Sequence, residues 1–108
     1  MFIAHEVSIQ VIHSLRPLMP ILEQADRDLA DQIKRAASSV VLNLAEGQRL
    51  TKGNKGKHYV IAHGSANEVK AALRTAIAWG WIDSAEPQLA ILDRLLALLW
   101  RLNHPKRS

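Results

Sequence analysis

Apolar residues recur along this chain every three or four positions, and nowhere do apolar and polar residues alternate as a half-buried strand requires. The spacing predicts four helices. The first covers about 3–18, with Val7, Val11, Leu15 and Leu18 on one side at 100° per residue and Ala4 between them. Pro17 and Pro20 end or kink it, because each lacks an N–H and restricts the residue before it. Ile21 and Leu22 are expected to tuck under the connection that follows. The second helix covers about 27–47. Asp26 or Asp28 is a candidate N-cap, and Gly47 is expected just past its C-terminus. Its stripe of Leu29, Ile33, Ala36, Val40 and Leu44 is widened by Ala30, Ala37, Val41 and Ala45 to about 180°, where one core face needs roughly 100°. The third, about 54–81, gathers Tyr59, Ala62, Ala66, Val69, Leu73, Ala76, Ile77 and Gly80 on one face, with His63, Asn67, Lys70 and Arg74 opposite. The fourth, about 85–102, follows "DSAEP", where Ser84 is a candidate cap and Pro87 sits in the first turn. Leu89, Leu92, Leu95, Leu96, Leu99 and Trp100 line one side of it, and Ile91, Leu98 and Leu102 extend that side.

Four helices joined by short connections predict an all-α fold, an antiparallel up-down four-helix bundle that takes up residues 1–108 as one domain. The second and fourth helices carry more apolar surface than one bundle core uses. A wide core would absorb it. A subunit interface along those two helices is the expectation preferred here, which makes the protein a homo-oligomer.

Polar residues interrupt the core pattern at one contact. With the turn between the second and third helices near residue 51, positions lie level where their numbers sum to about 103. Ser39 is then level with Gly64 and Ser65, Arg35 with Glu68, and Asn43 with Val60. Arg35, Ser39, Asn43 and Glu46 form one polar stripe on the second helix. Glycine within a helix costs about 1 kcal/mol against alanine, so Gly64 is expected to let the helices approach closely. Ser39 and Ser65 are expected to hydrogen-bond across the gap, Arg35 and Glu68 to pair, and Asn43 and Glu46 to cap backbone groups. The seven residues make a structural polar network that fixes register, provided that it is satisfied throughout.

The chain has 108 residues, 48% hydrophobic and 22% charged, with a formal net charge of +4. Those proportions suit a folded globular protein, and the charge favours an anionic partner. Its distribution says more. From Gly47 to Asn67 there is no acid, while Arg49, Lys52, Lys55 and Lys57 all fall there, and the terminal "HPKRS" adds Lys106 and Arg107. Four cations over nine residues are candidates for phosphate contact, with Lys70 and Arg74 next. The absence of cysteine excludes disulfides and thiolate metal sites. No apolar run reaches the roughly 18 residues of a membrane span, and "MFIAHEVSIQ" lacks the basic start of a signal peptide. The expected location is cytoplasmic, with no membrane contact.

Enzyme chemistry finds no purchase. Gly47 and Gly53 are separated by five residues where a Walker loop needs four, and "GKH" lacks the hydroxyl. His5, His13, His58, His63 and His104 have no metal spacing, and "EGQR" and "EVKA" lack the histidine of a Glu-x-x-His carboxylate-bridged site. No catalytic residue, metal or cofactor is therefore expected. Trp79, Trp81 and Trp100 lie at helix ends beside apolar stripes, which favours packing over base stacking.

"DQIKRAASSVVLNLAEG", "IAHGSANEV" and "GWI" together resemble the four-helix-bundle family of proteins encoded in intervening sequences of large-subunit ribosomal RNA genes. They are also similar to the accessory variability proteins of diversity-generating retroelements. The most specific positions are Arg35-Ala36-Ala37, Asn43 with Ala45-Glu46-Gly47, and Gly64-Ser65 with Glu68. The resemblance implies a bundle that assembles into a ring, commonly a pentamer, with no catalytic residues. For the retroelement relatives it implies a basic ring that binds nucleic acid and a reverse transcriptase. The family often has proline where Val41 stands and an aromatic where His58 stands. The expectation is a non-enzymatic homo-oligomer that binds RNA or DNA through basic loops, as an accessory factor to a reverse transcriptase. The alternative is an adaptor ring that binds a protein partner and touches no nucleic acid.

Overall fold

Pro17 and Pro20 divide the chain more finely than the four-helix expectation allowed. The computed structural model describes residues 2–50 and 52–105, without the side chains of Lys52 and Gly53. It contains five helices: α1 (Ile3–Leu15), α2 (Met19–Ala25), α3 (Arg27–Arg49), α4 (Lys52–Trp79) and α5 (Glu86–Asn103). There is no strand among the described residues. The first predicted helix is thus shorter than 3–18, and the segment read as a connection is helical. Pro17 falls in the turn that ends α1, whereas Pro20 sits in the first turn of α2. A proline there gives up only an N–H that has no partner within the helix. Leu22, fully buried, anchors α2 against α3.

One extended residue, Asp26, separates α2 from α3, and its carboxylate accepts a hydrogen bond from the Leu29 N–H at 3.1 Å, so Asp26 is the N-cap. Gly47 does not stop α3, which continues to Arg49. A Cβ at Gly47 would lie 2.7 Å from Tyr59 Cε1, so the glycine is there for close approach. The left-handed terminator is Gly80, with φ of 78°. Its N–H donates to Ile77 O and that of Trp81 to Ala76 O, the paired bonds of a Schellman ending to α4. At the start of α5 the cap position is Ala85, and Ser84 Oγ accepts only a 3.3 Å bond from Glu86 N–H.

The stripes converge on one cluster. Val7, Val11 and Leu15 of α1, Ile33, Val40 and Leu44 of α3, Val69 and Leu73 of α4, and Leu92, Leu95 and Leu99 of α5 are all buried. Cross-helix bonds fix directions. Ser39 meets Ser65 while Asn43 meets His58, so α3 and α4 run antiparallel. Tyr59 O accepts from Asn103 and Lys70 pairs with Asp93, so α4 and α5 do too. Gln88, buried, donates from Nε2 to Ser14 O at 2.7 Å, tying the start of α5 to the end of α1. The Phe2 and Tyr59 rings lie 6.0 Å apart. The beginning of α1, the α3–α4 corner and the end of α5 therefore share one end of a molecule measuring 47 × 21 × 20 Å.

Candidate nucleic-acid interface

The cations predicted to lie on a loop are carried by helices. Arg49 ends α3, and Lys52, Lys55 and Lys57 occupy the first turns of α4. Helix continues because Gly47 is inside α3, which leaves only Leu50 and Thr51 between the two elements. Arg49 is ion-paired with Glu46 one turn back, and this hydrogen bond holds the Glu46 carboxyl below the ordinary carboxylate range. Lys57 is exposed and Lys55 half-buried. The Lys52 side chain lies outside the described residues, as do Lys106 and Arg107. Further along α4, Lys70 is bound to Asp93 at 2.8 Å and Arg74 is exposed.

Lys55 does not stand alone. It lines an open cleft of about 540 Å³ with Gly56, Tyr59 and Val60 of α4, and with Arg101, Leu102, Asn103 and Pro105 at the end of α5. The lining holds two cations and no acid. Burial pushes the Tyr59 phenol up, so this side of the cleft stays neutral. Asn103 Nδ2 donates to both Tyr59 O and Leu99 O, which clamps the cleft floor. Arg101 was missed in the sequence because it sits far from the basic run. The antiparallel order of the predicted helices was the one signal that could have found it.

The polar stripe divides into parts that meet and parts that do not. Ser65 Oγ donates to Ser39 Oγ at 2.9 Å, and Asn43 Nδ2 donates to the same Oγ at 3.1 Å and to Ser39 O at 2.9 Å. Asn43 Oδ1 lies 2.9 Å from His58 Nδ1 rather than against Val60, which is 62% exposed. Since Asn43 Oδ1 can only accept, His58 Nδ1 is the donor. Arg35 and Glu68 are both exposed, and no ion pair joins them among the described residues. Gly64 makes no notch: it is exposed, and a Cβ there would meet nothing within 4 Å. Glu46 pairs with Arg49 instead of capping backbone.

The tryptophans also differ from expectation. Trp79 and Trp100 are 70% and 53% exposed, and only Trp81 is half-buried. No group of three or more His, Asp or Glu that could hold a metal occurs among the described residues, and no described helix is long and apolar enough to cross a membrane.

A model of the 23S rRNA-intervening sequence protein family matches residues 3–100. The chain belongs to that family. No curated protein and no solved structure matches it. The span shared with the 23S rRNA-intervening sequence protein family includes the α3–α4 corner and the Ser39–Ser65 contact. It ends before Arg101, Asn103 and His104.

Proposed function

We propose that this protein is a non-enzymatic nucleic-acid-binding protein, contacting RNA or DNA phosphates at the end where α3 turns into α4. The supporting observation is the cleft, where Lys55 and Arg101, distant in sequence, flank one cavity whose lining contains no acid. Arg49 at the end of α3, and Lys52 and Lys57 on α4, are its neighbours along the chain. Lys70 and Arg74 extend the basic track, with Lys70 contributing once it leaves Asp93. The family's description, with its reference to 23S rRNA, is compatible with an RNA ligand.

Self-association belongs to the same reading. Leu42, Val60 and Ile61 are 67%, 62% and 40% exposed, a cost that a sister copy would relieve. The resemblance noted in the sequence favours a pentameric ring of antiparallel four-helix bundles built from α1, α3, α4 and α5, with α2 as a strap on α3. Such a ring repeats the basic corner at one rim and sums its field. A reverse transcriptase as partner rests on that resemblance alone.

The test is a salt titration of binding to a mixed nucleic-acid pool, read by fluorescence anisotropy. Affinity should fall steeply between about 50 and 200 mM salt, and the slope should flatten by roughly 3 when Arg49, Lys52, Lys55 and Lys57 all become alanine. Absence of binding at low salt would discard this reading and leave the protein-binding adaptor.

A further inference from the structure

We propose that Trp100 and His104 form a stacking platform for an unpaired base beside the basic cleft, so that the nucleic acid taken there is single-stranded. This rests on the nucleic-acid reading above and narrows its ligand. Trp100 is 53% exposed on α5, although its neighbour Leu99 is fully buried. It is nonetheless held flat. The His104 ring lies parallel to the indole, 13° apart in tilt and 4.1 Å between centroids. His104 Nδ1 is 2.9 Å from Trp100 O, and because a carbonyl only accepts, that nitrogen carries the proton. The last turn is closed by His104 N–H on Arg101 O at 3.3 Å. Two aromatic rings are thus fixed against each other on the surface, with the indole half in solvent.

The surroundings give the platform its chemistry. Arg101 follows directly in sequence and lines the cleft with Lys55. Asn103, also in the lining, is the i+3 neighbour of Trp100 and so adjacent to it on the helix surface. Cations for the backbone beside an aromatic face for a base is the arrangement of single-strand binders. Inside a duplex both faces of each base are covered by its neighbours, so away from the ends a ring can accept only a base that has left the stack. A second aromatic pair, exposed Trp79 with half-buried Trp81, supplies a contrast. Trp79 and Trp81 stack with centroids 6.0 Å apart, and the pocket there, lined by Leu18, Ile21, Gly80, Trp81, Ile82, Asp83 and Ser84, contains an acid and no cation. Among the described residues exposed tryptophans occur at two places, and only Trp100 is next in sequence to a cation that lines a cleft.

Binding of a labelled oligouridylate and of a blunt RNA duplex of equal length, at one fixed salt concentration, tests the platform. Trp100→Ala should weaken strand binding about 5- to 100-fold and leave duplex binding within about twofold. Trp100→Phe should keep most of the strand affinity, and Trp79→Ala should change neither. In a Trp79→Phe/Trp81→Phe background, the remaining indole emission should be quenched as the strand saturates. Unchanged strand binding in Trp100→Ala, equal loss on both ligands, or no quenching at saturation would overturn the proposal and leave phosphate binding intact. A wild-type protein that binds neither ligand removes the broader reading and the platform with it. Dissociation of the Trp100→Ala assembly in light scattering would make the indole a subunit contact and would also overturn the platform.

Discussion

A methyl group added at Gly47 meets the Tyr59 ring at 2.7 and 3.0 Å, and a buried ring has no flexible end to move aside. Gly47→Ala should therefore destabilise the fold by about 1–3 kcal/mol in chemical denaturation, despite the gain in helix propensity. Gly64→Ala should do the reverse. Open space and a helical backbone leave only the propensity gain, about 0.5–1 kcal/mol of stabilisation. A loss of stability at Gly64 would mean that a sister copy packs there. The letter G is identical in both places, and only the neighbouring helix tells them apart, which is why the sequence pointed to Gly64 for the close approach and to Gly47 for the stop. The Ser39–Ser65 pair was within reach of register arithmetic. Asn43 was placed opposite Val60 rather than His58, two residues off, because helix tilt and side-chain length decide such pairings.

Among the elements, α2 is the one whose existence periodicity did not disclose. Seven residues give no measurable repeat, and two prolines within four positions look like a breaker until one of them is placed in a first turn. Its hold on α3 includes Leu22 and the Lys34–Glu23 pair, 2.6 Å between Nζ and Oε1. Leu22→Ala should cost about 2–5 kcal/mol. The hydrogen bond from Lys34, aided by its charge, keeps the Glu23 carboxyl below the ordinary range. Folded α2 thus binds that proton less readily than the unfolded chain does. The pair's contribution is complete above the ordinary carboxylate value and is lost as the pH falls through the lower folded one. Protection factors of the amides in residues 22–25, with exchange rates corrected for their intrinsic pH dependence, should fall over that acid interval in the wild type and show no such step in Glu23→Gln. The longer helices were legible because their stripes, such as Ile33, Ala36, Val40 and Leu44, are all buried where the 3.6-residue period put them.

For the molecule as a unit, the apolar excess predicted on the second helix is mostly taken up by the core, with Ala30 and Ala37 buried and Val41 half-buried, whereas Leu42, outside the predicted arc, lies 67% exposed. Light scattering of the wild type should give a multiple of 12.0 kDa, and Leu42→Glu with Ile61→Glu should return it to that mass without loss of helical signal. A 12.0 kDa wild type at micromolar concentration would refute self-association. Arg101 was illegible at this scale alone, since its meeting with Lys55 exists only after α4 and α5 have packed. The corner between α3 and α4, two residues from Arg49 to Lys52, carries a consequence for how relatives can diverge. One residue gained inside α4 ahead of Lys55, rather than at the corner itself, would swing everything downstream through about 100° about the helix axis. Lys55 would leave Arg101, and the serines would part company. Lengthening within an arm is tolerable only as near-whole turns, so drift in size should collect at the bend and the free tips and spare the arms between them.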